Sequence, residues 1–272
     1  MAYNNWEQLQ LLVNLLDDKR NDIFLHVDLK SLNSFQKSER VKCKNAQLFL
    51  AKSMDVRWSD ISQTDAEVSI FRQVLETGTN YSRIHLISGM DLPIKSQDSI
   101  HSFFKGRDEE FINVNTDLTF VRRIKYYHFF VRERRSHSMT DVARRLLLVP
   151  QLPFVDRLRH TPLRFAWGAN WCSLTGGIRE LVEKYPKYRH MFKYTTSSDE
   201  LYKQMILLNC PSVRNAKEGM LRYVDFSAGK PSPKTLCVED FSKLETSQCL
   251  FARKFDMRVD PEVIRIVCER LN

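Results

Sequence analysis

Two short apolar runs that each close on an acidic residue set the frame for this chain. Ile23 to Val27, within NDIFLHVDLKS, ends on Asp28, and Ile84 to Ser88, within YSRIHLISGMDLPIKS, ends at Gly89 and Asp91. Apolar runs of this length bounded by turn formers read as buried strands. Helical patterns flank them. Leu9, Leu11, Leu12, Leu15 and Leu16 predict an amphipathic helix over 5–18. TDAEVSIFRQVLETG predicts another, with Thr64 as N-cap, Glu67 at the capping-box position and Gly78 as the stop.

The alternation continues along the chain. QDSIHSFF reads as a short helix, EEFINV as a strand, GGIRELVEKYPKY as a helix, and SSDELYKQMILLN as a helix with a Ser cap and an acidic first turn. MLRYVDF is a strand, VEDFSKLETS a short helix, CLFARKFD a strand and turn, and DPEVIRIVCERLN a final helix opened by Pro261. RRIKYYHFFVRERR fits either strand or helix, and MTDVARRLLLVPQLPFVDRLRH begins as a helix that Pro150 breaks. Strands alternating with helices predict an α/β sandwich with a largely parallel central sheet. Ligands of such sheets gather at the carboxyl ends of the strands. A length of 272 residues suffices for one large domain. We read residues 1–272 as a single domain in two halves, 1–120 and 121–272.

Charge is distributed unevenly. The chain carries +9, and residues 122–164 hold eleven Lys and Arg against three Asp and Glu, a net of +8. Such a stretch favours anionic partners. It has two uses: drawing in an anionic small molecule, or resting on an anionic membrane, since Arg144, Arg145, Arg157 and Arg159 alternate with Leu and Phe. The plain alternative is a solvated helix lying over the core. None of the six cysteines forms a Cys-x-x-Cys pair, which suits reduced, packed thiols in a cytosolic setting. The opening MAYNNWEQLQLL lacks the basic and apolar regions of a signal peptide, and no apolar run approaches a membrane span. The expected location is cytoplasmic, with peripheral contact on the inner face of a membrane as its variant.

Five segments in order carry a family likeness: FLHVDLKS (24–31), ISGMDLPIKS (87–96), SSDELYKQMIL (197–207), GKPSPKTLCVEDF (229–241) and LFARKFDMRVDPEVI (250–264). Together they resemble the signature blocks of the core-2/I-branching β-1,6-N-acetylglucosaminyltransferase and peptide xylosyltransferase family, glycosyltransferase family 14. Lacking a secretory anchor and stem, the chain is similar to its short bacterial members. The resemblance implies a GT-A-like, Rossmann-type fold and an inverting transfer from a UDP-sugar to an acceptor hydroxyl, with no metal and no cofactor. Family members open with an apolar strand ahead of the segment matching AYNNWEQLQLL, so the first strand of the sheet is expected to be missing here.

The resemblance also assigns roles. Glu200, in the S-x-D-E block, matches the catalytic base; by position alone it is a carboxylate favouring a helix start. Lys254, in ARKFD, matches the lysine on the UDP phosphates, with Arg253 beside it in reserve. Lys234, in PSPKTL, stands where many relatives carry Arg, keeping the charge and losing the fork. Asp28 matches an acidic residue near the uridine and ribose, or is a strand-end cap. Asp91 either lines the donor site or braces its loop. Arg123 and Lys125 align with acceptor contacts, Tyr223 with a stacking aromatic, and Trp167 and Trp171 offer a second platform or core packing. None of the 18 Asp lies two positions from another, so Asp-x-Asp is absent. Asp108-x-Glu110 is the nearest substitute, and no metal ligand is assigned.

By family weight the donor is UDP-N-acetylglucosamine in β-1,6 transfer to a glycan or glycolipid acceptor, in cell-surface polysaccharide or glycolipid synthesis. UDP-xylose is the alternative donor. A non-catalytic basic module for anionic glycan or nucleic acid is the reading from another class, although no nucleic-acid motif supports it.

Overall fold

The computed structural model describes residues 1–38, 41–132, 138–159, 161–230 and 232–271. Helices and short strands alternate: α1 (Trp6–Leu16), β1 (Asp22–Leu25), α2 (Leu32–Ser38), β2 (Gln47–Leu50), α3 (Ile61–Glu76), β3 (Ile84–Leu86), β4 (Asp91–Pro93), α4 (Gln97–Phe104), α5 (Arg122–Lys125) and α6 (Ser138–Leu148). They continue as β5 (Cys172–Leu174), α7 (Gly177–Phe192), α8 (Tyr202–Leu208), β6 (Arg222–Val224), α9 (Phe241–Thr246), β7 (Phe251–Arg253) and α10 (Pro261–Leu271). Two compact units share this chain. One comprises residues 1–53, 85–108 and 220–272, the other 54–84 and 109–219.

In the first unit, α1 buries Leu9, Leu12 and Val13, whose i, i+3, i+4 spacing makes one apolar stripe. The stripe joins Leu25, Val27, Leu92, Ala252, Phe255, Val263 and Ile264 in a single core. β1 and β2 run parallel, with Asp22 opposite Gln47 and Leu25 opposite Leu50. β7 lies between β4, antiparallel, and β6, parallel. The strands are thus short and sorted into small sheets of mixed direction, rather than one mostly parallel central sheet.

The expectation of a missing first strand is corrected in part. Ala2 forms a parallel bridge with Val27, its N–H donating to His26 and its carbonyl accepting from Asp28. On the other side the Met1 nitrogen donates to Ile87 and the Gly89 N–H donates to Met1. Two residues therefore bridge the neighbouring segments laterally, where the sheet needs a strand.

In the second unit, α3 packs on α7 and α7 on α8. Tyr185, Phe192 and Tyr202 meet there, with ring centroids 5.5 to 6.3 Å apart. α3 starts earlier than Thr64, because Asp60 caps it by accepting from the Ser62 N–H. Thr64 and Glu67, the expected capping box, lie inside the helix and are fully buried. EEFINV forms isolated bridges at Glu110 and Phe111 instead of a strand. The ambiguous RRIKYYHFFVRERR segment gives the single turn of α5, and its Glu133, Arg134 and Arg135 lie outside the described residues. All six cysteines are unpaired with one another, two of them buried. Among the described residues no helix is long and apolar enough to cross a membrane.

Candidate active site

Glu200 closes a 3₁₀ turn, Ser198–Glu200, that leads into α8. The turn is fastened at every residue. Ser197, at φ +52°, donates its N–H to the Ser59 carbonyl, and the Ser198 hydroxyl meets Thr64 Oγ1 at 2.9 Å. The Asp199 carboxylate accepts from Gln63 Nε2 at 2.9 Å, and the Glu200 carbonyl accepts from the Gly168 N–H. The helix with a Ser cap expected here is therefore a 3₁₀ turn first, with no side-chain cap from Ser197. That departure leaves the Glu200 side chain 38% exposed and ion-paired with Arg123, itself 26% exposed.

A buried polar cluster stands behind the turn. Lys203 Nζ donates to Glu67 Oε2 at 2.6 Å, to the Asn170 side-chain oxygen and to the Asp199 carbonyl. Tyr202 donates its hydroxyl to Glu67 at 3.0 Å, and Asn170 donates to Glu67 at 2.7 Å. Every polar partner of this charge pair is satisfied, the condition on which a buried pair is tolerated. Burial pushes the Asp199 carboxyl well up from its usual range, and the neighbouring Glu200 and Glu67 add to the shift. Burial likewise raises the Tyr202 phenol well above its ordinary value.

An aromatic wall continues from Arg123. Its guanidinium lies 4.0 Å from the centroid of Phe120, and Phe120 meets Trp167 edge-on at 4.5 Å. Trp167 donates its indole N–H to Asp117 at 3.3 Å. Glu200, Arg123, Phe120, Trp167 and Asp117 thus form one connected group. Phe120 and Asp117 were not legible beforehand, because TDLTFVRR has no periodicity to place them. Lys125 pairs with Asp156 at 3.4 Å, and Trp171 is half-buried beside β5.

In the first unit the expected donor residues have these surroundings. Asp28 accepts from the Lys30 N–H at 2.9 Å and pairs with its ammonium, which makes it the cap of the following turn. Asp91 is fully buried; it accepts from the Ser88 N–H and hydroxyl and lies 3.3 Å from Arg253. It braces the loop. Lys234 is held by Glu239 at 3.0 Å and Asp240 at 2.8 Å, and the hydrogen bonds it donates to Asp240 and Glu239 raise its pKa. Lys254 is half-buried, and its ammonium has no hydrogen-bond or ion-pair partner among the described residues. Tyr223, opposite Ala252 in β6, packs partly against the core.

In the first unit an open cleft of about 940 Å³ is lined by Asn5, Trp6, Asn33, Ser34, Lys37 and Arg258 among others. Asp28, Lys234, Arg253 and Lys254 do not line it. Glu110 uses its carboxylate at the start of α7, accepting from the Thr175 and Gly177 N–H groups at 2.7 and 2.6 Å. Among the described residues no three His, Cys, Asp or Glu side chains converge as metal ligands would.

Glu200, Arg123, Phe120, Trp167 and Asp117 all belong to the second unit, and the residues lining the cleft to the first. The sequence profile described as Core-2/I-Branching enzyme matches residues 1–248. The chain belongs to that family, which is one of glycosyltransferases. Comparison with curated proteins gives no significant match.

Proposed function

We propose that this chain is an inverting, metal-independent transferase that moves a sugar, N-acetylglucosamine by family weight, from its UDP conjugate to a hydroxyl of a glycan or glycolipid. The observation that carries the reading is Glu200: a solvent-reachable carboxylate on a turn fixed by hydrogen bonds from Ser59, Thr64, Gln63 and Gly168, with one cation against it. A general base needs that combination of access and fixed position.

In this reading Glu200 takes the proton of the acceptor hydroxyl as its oxygen bonds to the anomeric carbon. The bond from that carbon to the UDP oxygen breaks on the opposite face, and UDP leaves with the electron pair. Arg123 keeps Glu200 oriented, and Phe120 and Trp167 offer their ring surfaces to the C–H face of an acceptor sugar. Lys254, with no competing carboxylate, neutralises the leaving phosphates, and Arg253 stays occupied with Asp91. Lys234 serves the phosphates only by giving up Glu239 and Asp240. A GT-A-like placement of the nucleotide past the strand ends suits the Met1–Ala2 and β1 arrangement.

Calorimetric titration of UDP in EDTA tests the donor half, and donor turnover with Glu200→Gln tests the chemistry. Binding that survives EDTA, together with a variant that binds UDP but does not transfer, is the expected result. Absence of UDP binding by folded protein, with or without manganese, overturns the reading. Salt-dependent binding to DNA in its place favours the basic-module alternative.

A further inference from the structure

α6 and the turn after it present their apolar residues to water. Met139, Val142 and Leu146 lie on one helical face, and Val149, Leu152 and Phe154 extend it; Met139 is 82% and Phe154 88% exposed. Of the eighteen exposed large hydrophobic side chains among the described residues, ten fall within residues 127–154. A helix whose apolar stripe faced the core would bury these residues; here they face water. Patches of this density on a soluble surface mark interaction sites.

The patch is not a frayed end. Gln151 exchanges two hydrogen bonds with the backbone of Tyr127, at 2.7 and 3.0 Å, and donates to the Leu147 carbonyl at 2.8 Å. Arg157 is largely buried and directs its guanidinium at the carbonyls of Tyr126, Tyr194 and Met191, while its N–H donates to Lys125. Burial lowers the Arg157 pKa, with a small opposing effect from Tyr127. The molecule spends two polar side chains in holding an apolar face outward.

Charge selects the occupant. The same stretch, 122–164, carries +8 of the chain's +9, and Arg122, Arg145 and Arg159 are exposed within it. An apolar face ringed by cations fits the boundary of an anionic bilayer, where Leu and Phe enter the acyl region and Arg meets headgroup phosphate. A second copy of the chain would bring one positive surface against another. We propose that this face docks the protein on an anionic lipid bilayer. The proposal stands on the surface alone and holds whichever donor and acceptor the enzyme uses.

Flotation of the full chain with vesicles tests it. At low ionic strength the protein is expected to float with phosphatidylcholine vesicles containing phosphatidylglycerol, and to stay behind with phosphatidylcholine alone. High salt should release most of it. The double variant Leu146→Ser with Phe154→Ser should lower partition at least about tenfold, since it removes buried apolar area. Arg145→Glu with Arg159→Glu should do the same, and Lys19→Glu with Lys105→Glu, in the other unit, should not. All three keep the parent's thermal transition if they act on binding alone; should the apolar pair shift it, the arginine pair and the parent decide. Failure of the parent to float, or equal flotation of the apolar variant, overturns the proposal. So does lipid-free dimerisation, seen by analytical ultracentrifugation, that Phe154→Ser abolishes.

Discussion

Lys203 and Glu67 form an ion pair at 2.6 Å with both side chains fully excluded from water. Removing one partner strands the other as an uncompensated charge. Lys203→Met is expected to destabilise the protein by about 3–5 kcal/mol, read from urea unfolding. The double variant Lys203→Met with Glu67→Leu should recover part of that loss. If the single variant unfolds like the parent, the pair contributes little and the turn before Glu200 is held by its other bonds.

Glu200→Gln should lower kcat about 10²–10⁴-fold, the usual share of a general base, and leave UDP affinity unchanged. Arg123→Ala should cost about ten- to a hundredfold through the lost charged hydrogen bond, again without weakening UDP. Initial-rate kinetics beside UDP calorimetry separate the two effects. A variant at Glu200 that retained turnover would remove the base from this site.

The two lysines proposed for the donor phosphates are expected to behave differently. Lys254 has no acidic partner among the described residues, whereas Lys234 is held by Glu239 and Asp240. Lys254→Ala should weaken UDP binding about ten- to a hundredfold, as the loss of a charged hydrogen bond implies. Lys234→Ala should change it less than about threefold by the same scale. The reverse order would mean that Lys234 leaves its carboxylates when the nucleotide arrives.

Asp199 makes stability depend on pH. Burial foremost, then the charges of Glu200 and Glu67, hold its carboxyl protonated up to about 8. Unfolded, it ionises near 3.8. Over that window the folded state binds the extra proton, so stability falls as pH rises and the contribution is lost through the folded value. His26 works oppositely: burial lowers it from 6.5 to about 4, so its contribution is lost as pH falls. From pH 6.5 towards 8, urea midpoints should decline in the parent and flatten in Asp199→Asn.

Much of the fold is legible in the chain. The helices at Leu9–Val13, Gln97–Phe104 and Pro261–Leu271 follow from apolar spacing and helix-start signals, and the strands at Ile23 and Ile84 from short apolar runs. What hid was determined by distant partners. Thr64 and Glu67 spell a capping box, yet Ser198 and Lys203 claim them, and no local rule sees across that separation. The antiparallel pairing of Asp91 with Arg253 likewise depends on tertiary contact. Glu200 was marked as a candidate by the S-x-D-E block; Phe120 and Asp117, in the turn ahead of α5, were not, because such a turn carries no periodic pattern.

The interleaving of the two units has a consequence for how the chain is made. Among the described residues β4 pairs with β7, and the first unit's core needs Val263 and Ile264. Synthesis runs from the amino end, so α1 and β4 emerge long before α10 and β7. Residues 109–219, meanwhile, are released as an almost continuous stretch of the second unit. Co-translational assembly should therefore begin in the second unit, and the first unit should complete only after β7, Val263 and Ile264 have emerged. Such long-range closure is slow, and ribosome-stalled chains ending before β7 should be open to protease across residues 1–53 while α7 and α8 already resist it.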